Sequence, residues 1–169
     1  MASFTYNDIN CLDWRLMQNG AVVMYYRLAV LHNDIIWLRD HGCRVLDFDC
    51  FKWPSIQDFY CDVYAALGLP KPVNGNLDAM SDHFSDLEVP ANGGCVIVFR
   101  RYDDFAAKNR SFAETVLDIV ATQSRFKLLL GERFFAMIQS DDPQICFAPV
   151  GAAPILWNPL EWPDSKRGV

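Results

Sequence analysis

Three short apolar runs between residues 44 and 138 have the lengths and patterns of β-strands. Residues 44–50, "RVLDFDC", alternate between apolar and polar positions, as a half-buried strand does. Residues 95–99, "CVIVF", form a continuous apolar run between "NGG" and "RR", so we expect a central strand buried on both faces. Residues 133–138, "RFFAMI", supply a third candidate strand. These three runs are the strand candidates of the central region.

Helical spacing of apolar residues separates these runs. In residues 55–67, "SIQDFYCDVYAAL", apolar side chains recur every three or four positions, with Ser55 as the predicted N-cap and Gly68 as the stop. Residues 103–109 predict a short helix and residues 112–124 a longer one. Strands that alternate with helices favour an α/β fold, here a small parallel sheet covered by helices, with right-handed connections.

The two ends of the chain have weaker patterns. Residues 21–26 predict a strand and residues 29–41 a helix. Residues 155–163, "ILWNPLEWP", carry Trp157 and Trp162 among prolines. Large aromatic side chains gain much free energy from burial, so we expect this segment to be an arm packed across the domain.

Length and composition are those of one globular domain, with 51% hydrophobic and 21% charged residues and no repeat or long linker. The six cysteines are scattered without a CxxC pair, which favours free thiols in a reducing cytoplasm. The apolar run near the N-terminus is interrupted by Arg27 and lacks a preceding basic region, so we expect no signal peptide and no membrane span. We predict one cytoplasmic domain over residues 1–169, with a core at 43–140, an N-terminal addition at 1–42 and a C-terminal packing arm at 141–169.

Residues 73–90, "VNGNLDAMSDHFSDLEVP", predict a further helix from about residue 77 to residue 87. Asn76 is the predicted N-cap, and Asn74 and Gly75 form a turn that leads into the helix. Four apolar residues share one face and are expected to meet the core: Leu77, Met80, Phe84 and Leu87. The opposite face carries Asp78, Asp82, Ser85 and Asp86.

The net charge of −6 is concentrated around this helix. Residues 41–99 hold eight acids and three bases, and no basic side chain lies between Lys71 and Arg100. Such a patch repels nucleic acid and attracts a cationic partner. The helix dipole stabilises Asp78 in the first turn by roughly 0.3–1 kcal/mol. Asp82 lacks that benefit and is repelled by Asp78 one turn away, so the face is either merely solvated or a binding surface.

The segment "NLDAMSD" within "LGLPKPVNGNLDAMSDHFSDL" resembles the barstar family, small intracellular inhibitors of secreted bacterial ribonucleases. In that family an Asn-Leu-Asp-Ala-Leu-x-Asp segment opens the inhibitory helix. The order of elements is similar as well, because a strand and a helix precede the segment, "CVIVF" follows it, and "FAETVLDIVATQS" resembles the family's last helix. The resemblance covers about residues 43–140 and implies a three-stranded parallel sheet with helices on both sides, and no catalysis.

The function implied by the resemblance is stoichiometric inhibition of a cationic ribonuclease or related nuclease toxin by an acidic helix that mimics phosphate. The implied partner is a basic nuclease domain, with no direct contact to nucleic acid or membrane and no cofactor or metal. By resemblance Asp82 matches the dominant anchor and Asp78 the second acid, while Asn76 caps the helix and Asn74 and Gly75 offer backbone groups. The other predicted contacts are Ser81, Asp86 and Thr122.

The chain departs from the family pattern at three places. Residues 72–76, "PVNGN", replace an aromatic pair followed by Gly-x-Asn. Ser81 stands where the family often has a tryptophan, and Thr122 stands where its best-known member has a third acid. These differences favour a nuclease other than the family's best-known ribonuclease as the partner.

Two alternatives remain open from the sequence. Asp47 and Asp49 form a D-x-D that could hold a divalent cation, and with Asp78 they would suit a metal-assisted hydrolase. No Gly-rich phosphate loop, nucleophile motif or metal-binding histidine pattern accompanies them, so we predict that the chain is not an enzyme. The second alternative is a non-inhibitory adaptor whose acidic face binds some other basic protein.

Overall fold

The computed structural model describes residues 11–162 of the chain. Its helices are α1 (Leu12–Met17), α2 (Leu28–Asp40), α3 (Ile56–Ala66), α4 (Leu77–Ser85), α5 (Tyr102–Lys108) and α6 (Arg110–Leu129). Its strands are β1 (Val22–Tyr25), β2 (Arg44–Asp49), β3 (Cys95–Arg100), β4 (Phe134–Gln139) and β5 (Leu156–Trp157). Short 3-10 turns follow β2 and β5, at Cys50–Lys52 and Pro159–Glu161.

The described strands form one parallel sheet in the order β2-β3-β4-β1-β5. The prediction of a parallel α/β sheet was confirmed, whereas the predicted number of three strands was wrong, because the sheet has five. The strand predicted near the N-terminus exists as β1 and pairs with β4, with Val22 opposite Ala136. β5 pairs in turn with β1, with Val23 opposite Leu156. The sheet is wider than predicted because segments on both sides of the central core extend it.

Helices cover both faces of the sheet, as predicted. Residues of α3, α4, α5 and α6 contribute to one hydrophobic cluster, and residues of α1 and α2 contribute to the other. β3 separates the two, because Ile97 and Phe99 belong to the first cluster while Val96 and Val98 belong to the second. Successive side chains of a strand point to opposite faces. The continuous apolar run of β3 therefore reflects burial on both sides.

Local sequence determines where the helices begin and end. At the start of α3, Asp58 Oδ2 accepts a 3.0 Å hydrogen bond from Ser55 N–H in a reciprocal capping box. Gly68 follows α3 with φ of +73°, a conformation that favours glycine and ends the helix. By contrast, the N-cap residue of α1, Cys11, makes no side-chain hydrogen bond to the helix, which has only six residues. Six residues, about one and a half turns, are too few to show a helical period, so the sequence did not predict α1.

In the C-terminal segment of the described chain, a polar residue is fully buried and one of the two tryptophans is exposed. Trp162 is 49% exposed, so the expected burial of aromatic side chains in this segment is wrong for Trp162. Glu161 is fully buried, and its carboxylate accepts 2.7 Å hydrogen bonds from the backbone N–H groups of Tyr26 and Arg27. These residues immediately precede α2, where a helix start leaves backbone donors without intrahelical partners. The segment is therefore held to the edge of the sheet by a buried carboxylate.

Candidate functional site

The N-terminus of α4 is fixed by a side-chain cap. Asn76 Oδ1 accepts a 2.8 Å hydrogen bond from the backbone N–H of Asp78, as the sequence predicted. Asp78 occupies the first turn, where the helix dipole favours a carboxylate. The helix ends at Ser85, earlier than the predicted end near residue 87, and Asp86 is its C-cap.

The loop before α4 rests against the aromatic ring of Tyr60 on α3. A Cβ atom on Gly75 would lie 1.8 Å from Cδ2 of that ring, so the close approach requires glycine. At the start of the loop, Gln57 Nε2 donates a 3.1 Å hydrogen bond to the carbonyl oxygen of Pro72. The exposed Asn74 therefore lies between two points at which the loop is attached to α3.

The apolar face of α4 packs into the core, as predicted. Met80 and Phe84 are fully buried, Leu87 is 7% exposed just beyond the helix, and Leu77 is partly buried. The ring centroid of Phe84 lies 5.7 Å from that of Phe134 on β4. This packing fixes which side of the helix faces the solvent.

The opposite side of α4 is an anionic face, which we define as Asp78, Asp82 and Asp86. All three residues are exposed, in agreement with the predicted pattern. Among residues 11–162, no lysine, arginine or histidine side chain forms an ion pair with any of these carboxylates. Their charges therefore remain available to a cationic group of another molecule.

A basic side chain does reach α4, although none is near it in the sequence. The ammonium group of Lys127 on α6 donates hydrogen bonds of 2.9 Å to the carbonyl oxygen of Ser85 and 2.8 Å to that of Leu87. It also lies 3.2 Å from Glu132 Oε2 and is 5% exposed. A cation at the negative end of a helix is favourable, and the last carbonyl groups of a helix need donors. Lys127 thus holds the C-terminal end of α4 without pairing with the anionic face.

A second contact between α4 and α6 involves one of the predicted site residues. Gln123 Nε2 donates a 2.9 Å hydrogen bond to Ser81 Oγ, and both side chains are at least partly buried. Thr122, the neighbour of Gln123 on α6, is partly buried. The structure therefore brings Gln123 to α4, although 42 residues separate it from Ser81 along the chain. Ser81 contributes to the packing of the two helices as well as to their surface.

Both carboxylates of the D-x-D are paired with arginines. Arg100 Nε lies 2.9 Å from Asp47 Oδ1, and the guanidinium of Arg101 forms a bidentate pair with Asp49. The hydrogen bonds from Arg101 lower the pKa of the Asp49 carboxyl. Within the described part of the chain, no three His, Cys, Asp or Glu side chains are grouped closely enough to hold a metal ion. The proposed cluster of Asp47 and Asp49 with Asp78 is therefore wrong, because each strand carboxylate already has a cationic partner.

Comparison with known families identifies the family of this chain. A family model described as Barstar (barnase inhibitor) matches residues 43–139, which is more than half of the chain. The chain belongs to the barstar family. Barstar-family proteins are inhibitors of ribonucleases rather than enzymes. Comparison with curated proteins finds no match.

The barstar segment, residues 43–139, begins just before β2 and ends with β4. It contains three adjacent strands of the sheet, β2, β3 and β4, together with α3, α4, α5 and α6. The three-stranded sheet that the resemblance implied is therefore present as part of a larger one. β1 and β5 lie outside the match and form the remaining edge.

Among residues 11–162, no helix has the length and apolar composition needed to cross a membrane. The six cysteines are free thiols, as predicted. Burial raises the pKa of the Cys43 and Cys95 thiols to about 12. Buried thiols of this kind are unreactive packing residues.

Proposed function

We propose that this barstar-family chain is a stoichiometric protein inhibitor of a cationic ribonuclease or related nuclease toxin, and that α4 blocks the active site of that enzyme. The observation that carries the proposal is the anionic face: three exposed carboxylates without a cationic partner among residues 11–162, on a helix whose two ends are both held by other side chains. Family membership supports a nuclease as the class of partner.

The inhibition rests on carboxylates that replace substrate phosphates. A nuclease active site binds phosphate through Arg, Lys and His, and carboxylates form charge-assisted, often bidentate hydrogen bonds with the same groups. Asp78 and Asp82 are one turn apart, so their Cβ atoms are separated by about 5–6 Å on one face of the helix. Asp82 is the principal anchor in this proposal and Asp78 the second.

A helix that is already fixed loses little conformational freedom on binding. Asn76 caps the start of α4, Lys127 holds its end, and Met80 and Phe84 fix its rotation against the core. Ordering of side chains and loops is one of the main free-energy costs of association. These contacts therefore favour tight binding without adding any atom to the interface.

The remaining predicted contacts surround the two anchors. Asn74 and Gly75 present backbone groups from a loop that is attached to α3. Ser81 lies at the junction of α4 and α6, Thr122 is a partly buried residue of α6, and Asp86 extends the anionic face toward its C-terminal end. We propose that all of these residues contact the nuclease.

The protein acts as an immunity protein in the cytoplasm of a bacterium that makes the nuclease, and its own charge of −6 disfavours binding to RNA. Free thiols are consistent with that reducing compartment. In this proposal residues 1–169 act as one domain, with the inhibitory core at 43–140 and additions at 1–42 and 141–169. Residues 11–42 and 141–162 extend and cover the sheet, while residues 1–10 and 163–169 lie outside the described part of the chain.

The direct test is a titration of RNA cleavage. The purified chain is added to fixed amounts of barnase and of the cationic ribonuclease domains encoded nearest to its gene. We expect cleavage by at least one of these enzymes to fall linearly and to end at one chain per nuclease. The variant Asp40→Ala, which removes an equivalent exposed charge from α2, should inhibit equally well.

Three outcomes would overturn the proposal. Binding to a nuclease without loss of cleavage would make the chain an adaptor. RNA or nucleotide hydrolysis by the chain alone, abolished by a chelator and by Asp47→Asn, would make it the metal-assisted enzyme that the D-x-D suggested. Absence of binding to every nuclease in the panel would remove nucleases as the partner class.

A further inference from the structure

The last two turns of α6 expose large apolar side chains. Phe126 is 59% exposed, Leu129 80% and Leu130 74%. We define these three residues as the apolar stripe. Phe126 and Leu129 lie on α6, and Leu130 is its C-cap. Isolated apolar residues are common on protein surfaces, whereas clusters of large exposed apolar residues are typical of contact surfaces.

The apolar stripe borders the anionic face. Gln123 and Lys127 are the α6 side chains that bond to α4, while Val120 and Ala121 are buried against the core. On an α-helix, successive residues are rotated by about 100°. Phe126 is therefore turned further toward the solvent than Gln123 and Lys127, which face α4. The exposed carboxylates of α4 and the stripe of α6 therefore face the same solvent side of the two packed helices.

Charged groups near the stripe are already engaged elsewhere. Arg125 Nη2 donates a 2.7 Å hydrogen bond to the carbonyl oxygen of Gly151, and Lys127 is buried against α4. Glu132 pairs with Lys127. The surface therefore has two adjoining halves of different chemistry, one anionic and one apolar.

We infer that the apolar stripe is the second half of the nuclease-binding surface, and that it packs against an apolar patch at the rim of the cationic cleft that receives α4. This inference rests on the proposed function and adds to it the chemistry of the partner: a basic cleft with an apolar rim. The carboxylates guide and orient the encounter, and the stripe slows dissociation by burying apolar area.

Charge complementarity favours a nuclease over a second copy of this chain. A symmetric dimer through the stripe would bring two copies of the same surface together. Each copy carries the anionic face immediately beside the stripe, so the two faces would repel each other at close range. A cationic partner bound at the stripe would instead be attracted by the neighbouring anionic face.

The experiment measures association and dissociation rates with the nuclease that the titration shows to be most strongly inhibited. The variants are Phe126→Ala and Leu129→Ser, and the matched control is Leu28→Ser, which alters a 54% exposed leucine on α2, at the opposite face of the sheet. We expect each stripe variant to weaken binding roughly tenfold, mainly through faster dissociation and equally at low and high salt. The melting temperature should be unchanged, and Leu28→Ser should bind as the wild type does.

Affinities within about twofold of the wild type for both stripe variants would overturn the inference while leaving the inhibitor proposal intact, because inhibition itself would persist. Sedimentation of the chain alone provides a second test. A dimer that Phe126→Ala converts to a monomer, with nuclease affinity unchanged, would assign the stripe to self-association and overturn the inference. A chain that inhibits no nuclease would overturn the proposed function, and this inference with it.

Discussion

The buried Lys127 donates a 2.9 Å hydrogen bond to the carbonyl oxygen of Ser85, so the C-terminal end of the acidic helix is closed by a side chain from α6. The positive charge lies at the negative end of the helix dipole and is shared with the carbonyl oxygen of Leu87. Among residues 11–162, the carboxylates on the outer side of α4 remain without a cationic partner. The helix is thus stabilised by a cation that does not pair with its anionic face.

Replacing Lys127 by methionine should destabilise the protein. Methionine keeps much of the apolar stem but removes the donor from the buried carbonyl group of Leu87 and the partly buried one of Ser85, which costs roughly 1–3 kcal/mol of unfolding free energy. Hydrogen exchange of the α4 amides should accelerate. Urea unfolding and exchange of the same sample measure both effects. Lys108→Met, at an exposed position on α5, is the control and should change neither.

The change Asp82→Ala should separate stability from affinity. Loss of the like charge next to Asp78 should leave the free energy of unfolding unchanged or raise it by a few tenths of a kcal/mol at most, so the melting temperature should not fall. Affinity for the inhibited nuclease should fall by about 2 kcal/mol or more, because a buried Arg or Lys of the partner loses its counter-charge. Thermal melts and binding curves at several salt concentrations test this. Unchanged affinity would make the anionic face merely a solvated surface.

The change Asp78→Ala should cost more stability and less affinity than Asp82→Ala. It removes a carboxylate from the first turn, so the protein should lose roughly 0.3–1 kcal/mol of stability. The loss of affinity should be smaller than for Asp82→Ala. Association of the wild type should slow as salt rises, while dissociation changes less, because a negative patch accelerates the encounter with a cationic cleft. A larger loss of affinity for Asp78→Ala than for Asp82→Ala would contradict the assignment of the principal anchor.

The C-terminal segment should contribute to stability rather than to partner choice. Glutamine at Glu161 offers one acceptor oxygen where two backbone N–H groups need acceptors, so Glu161→Gln should cost roughly 1–3 kcal/mol. Deleting residues 141–169 should lower the melting temperature further, without changing which nuclease is bound. Glu88→Gln, at an exposed acid, is the control. Full stability with lost binding in the truncated protein would place the segment in the interface instead.

Acid should remove the contribution of the Asp49–Arg101 pair. Hydrogen bonds from Arg101 hold the pKa of the Asp49 carboxyl below its ordinary value of 3.8. A carboxyl with a lowered pKa stabilises the folded state fully above its unfolded pKa, and the stabilisation is lost as pH falls through the folded pKa. The difference in unfolding free energy between the wild type and Asp49→Asn should therefore be largest near neutral pH and vanish in strong acid. A difference that stays constant over this pH range would contradict the assignment.

The sequence predicted the elements whose burial pattern is periodic. β2, β3, α3 and the apolar face of α4 were all recognisable, because alternate or helically spaced residues meet a core on a known side. β5 was not, since two residues cannot show a period and the strand exists only through pairing with β1. Part of the width of the sheet was underestimated for that reason, and the other part because the pairing of β1 with the distant β4 cannot be seen in the local sequence.

The candidate site was predictable where its residues are neighbours in the chain. Asn76 and the exposed acids of α4 follow from local spacing and capping chemistry. Lys127 and Gln123 could not be found in this way, because each bonds to a residue about forty positions away. Nothing in the local sequence of α6 indicates which polar side chain will face another helix.

The order of strands in the sheet differs from their order of synthesis. β1 is translated first, yet its neighbours are β4 and β5, with Val22 opposite Ala136 and Val23 opposite Leu156. On the ribosome, β2, β3 and β4 can pair as each emerges, whereas β1 keeps its backbone donors and apolar side chains exposed until β4 has been made. A nascent chain in this state is vulnerable to proteases and to aggregation. Because β5 lies at Leu156–Trp157, β1 can be paired along both of its edges only after nearly all of the described chain has been made.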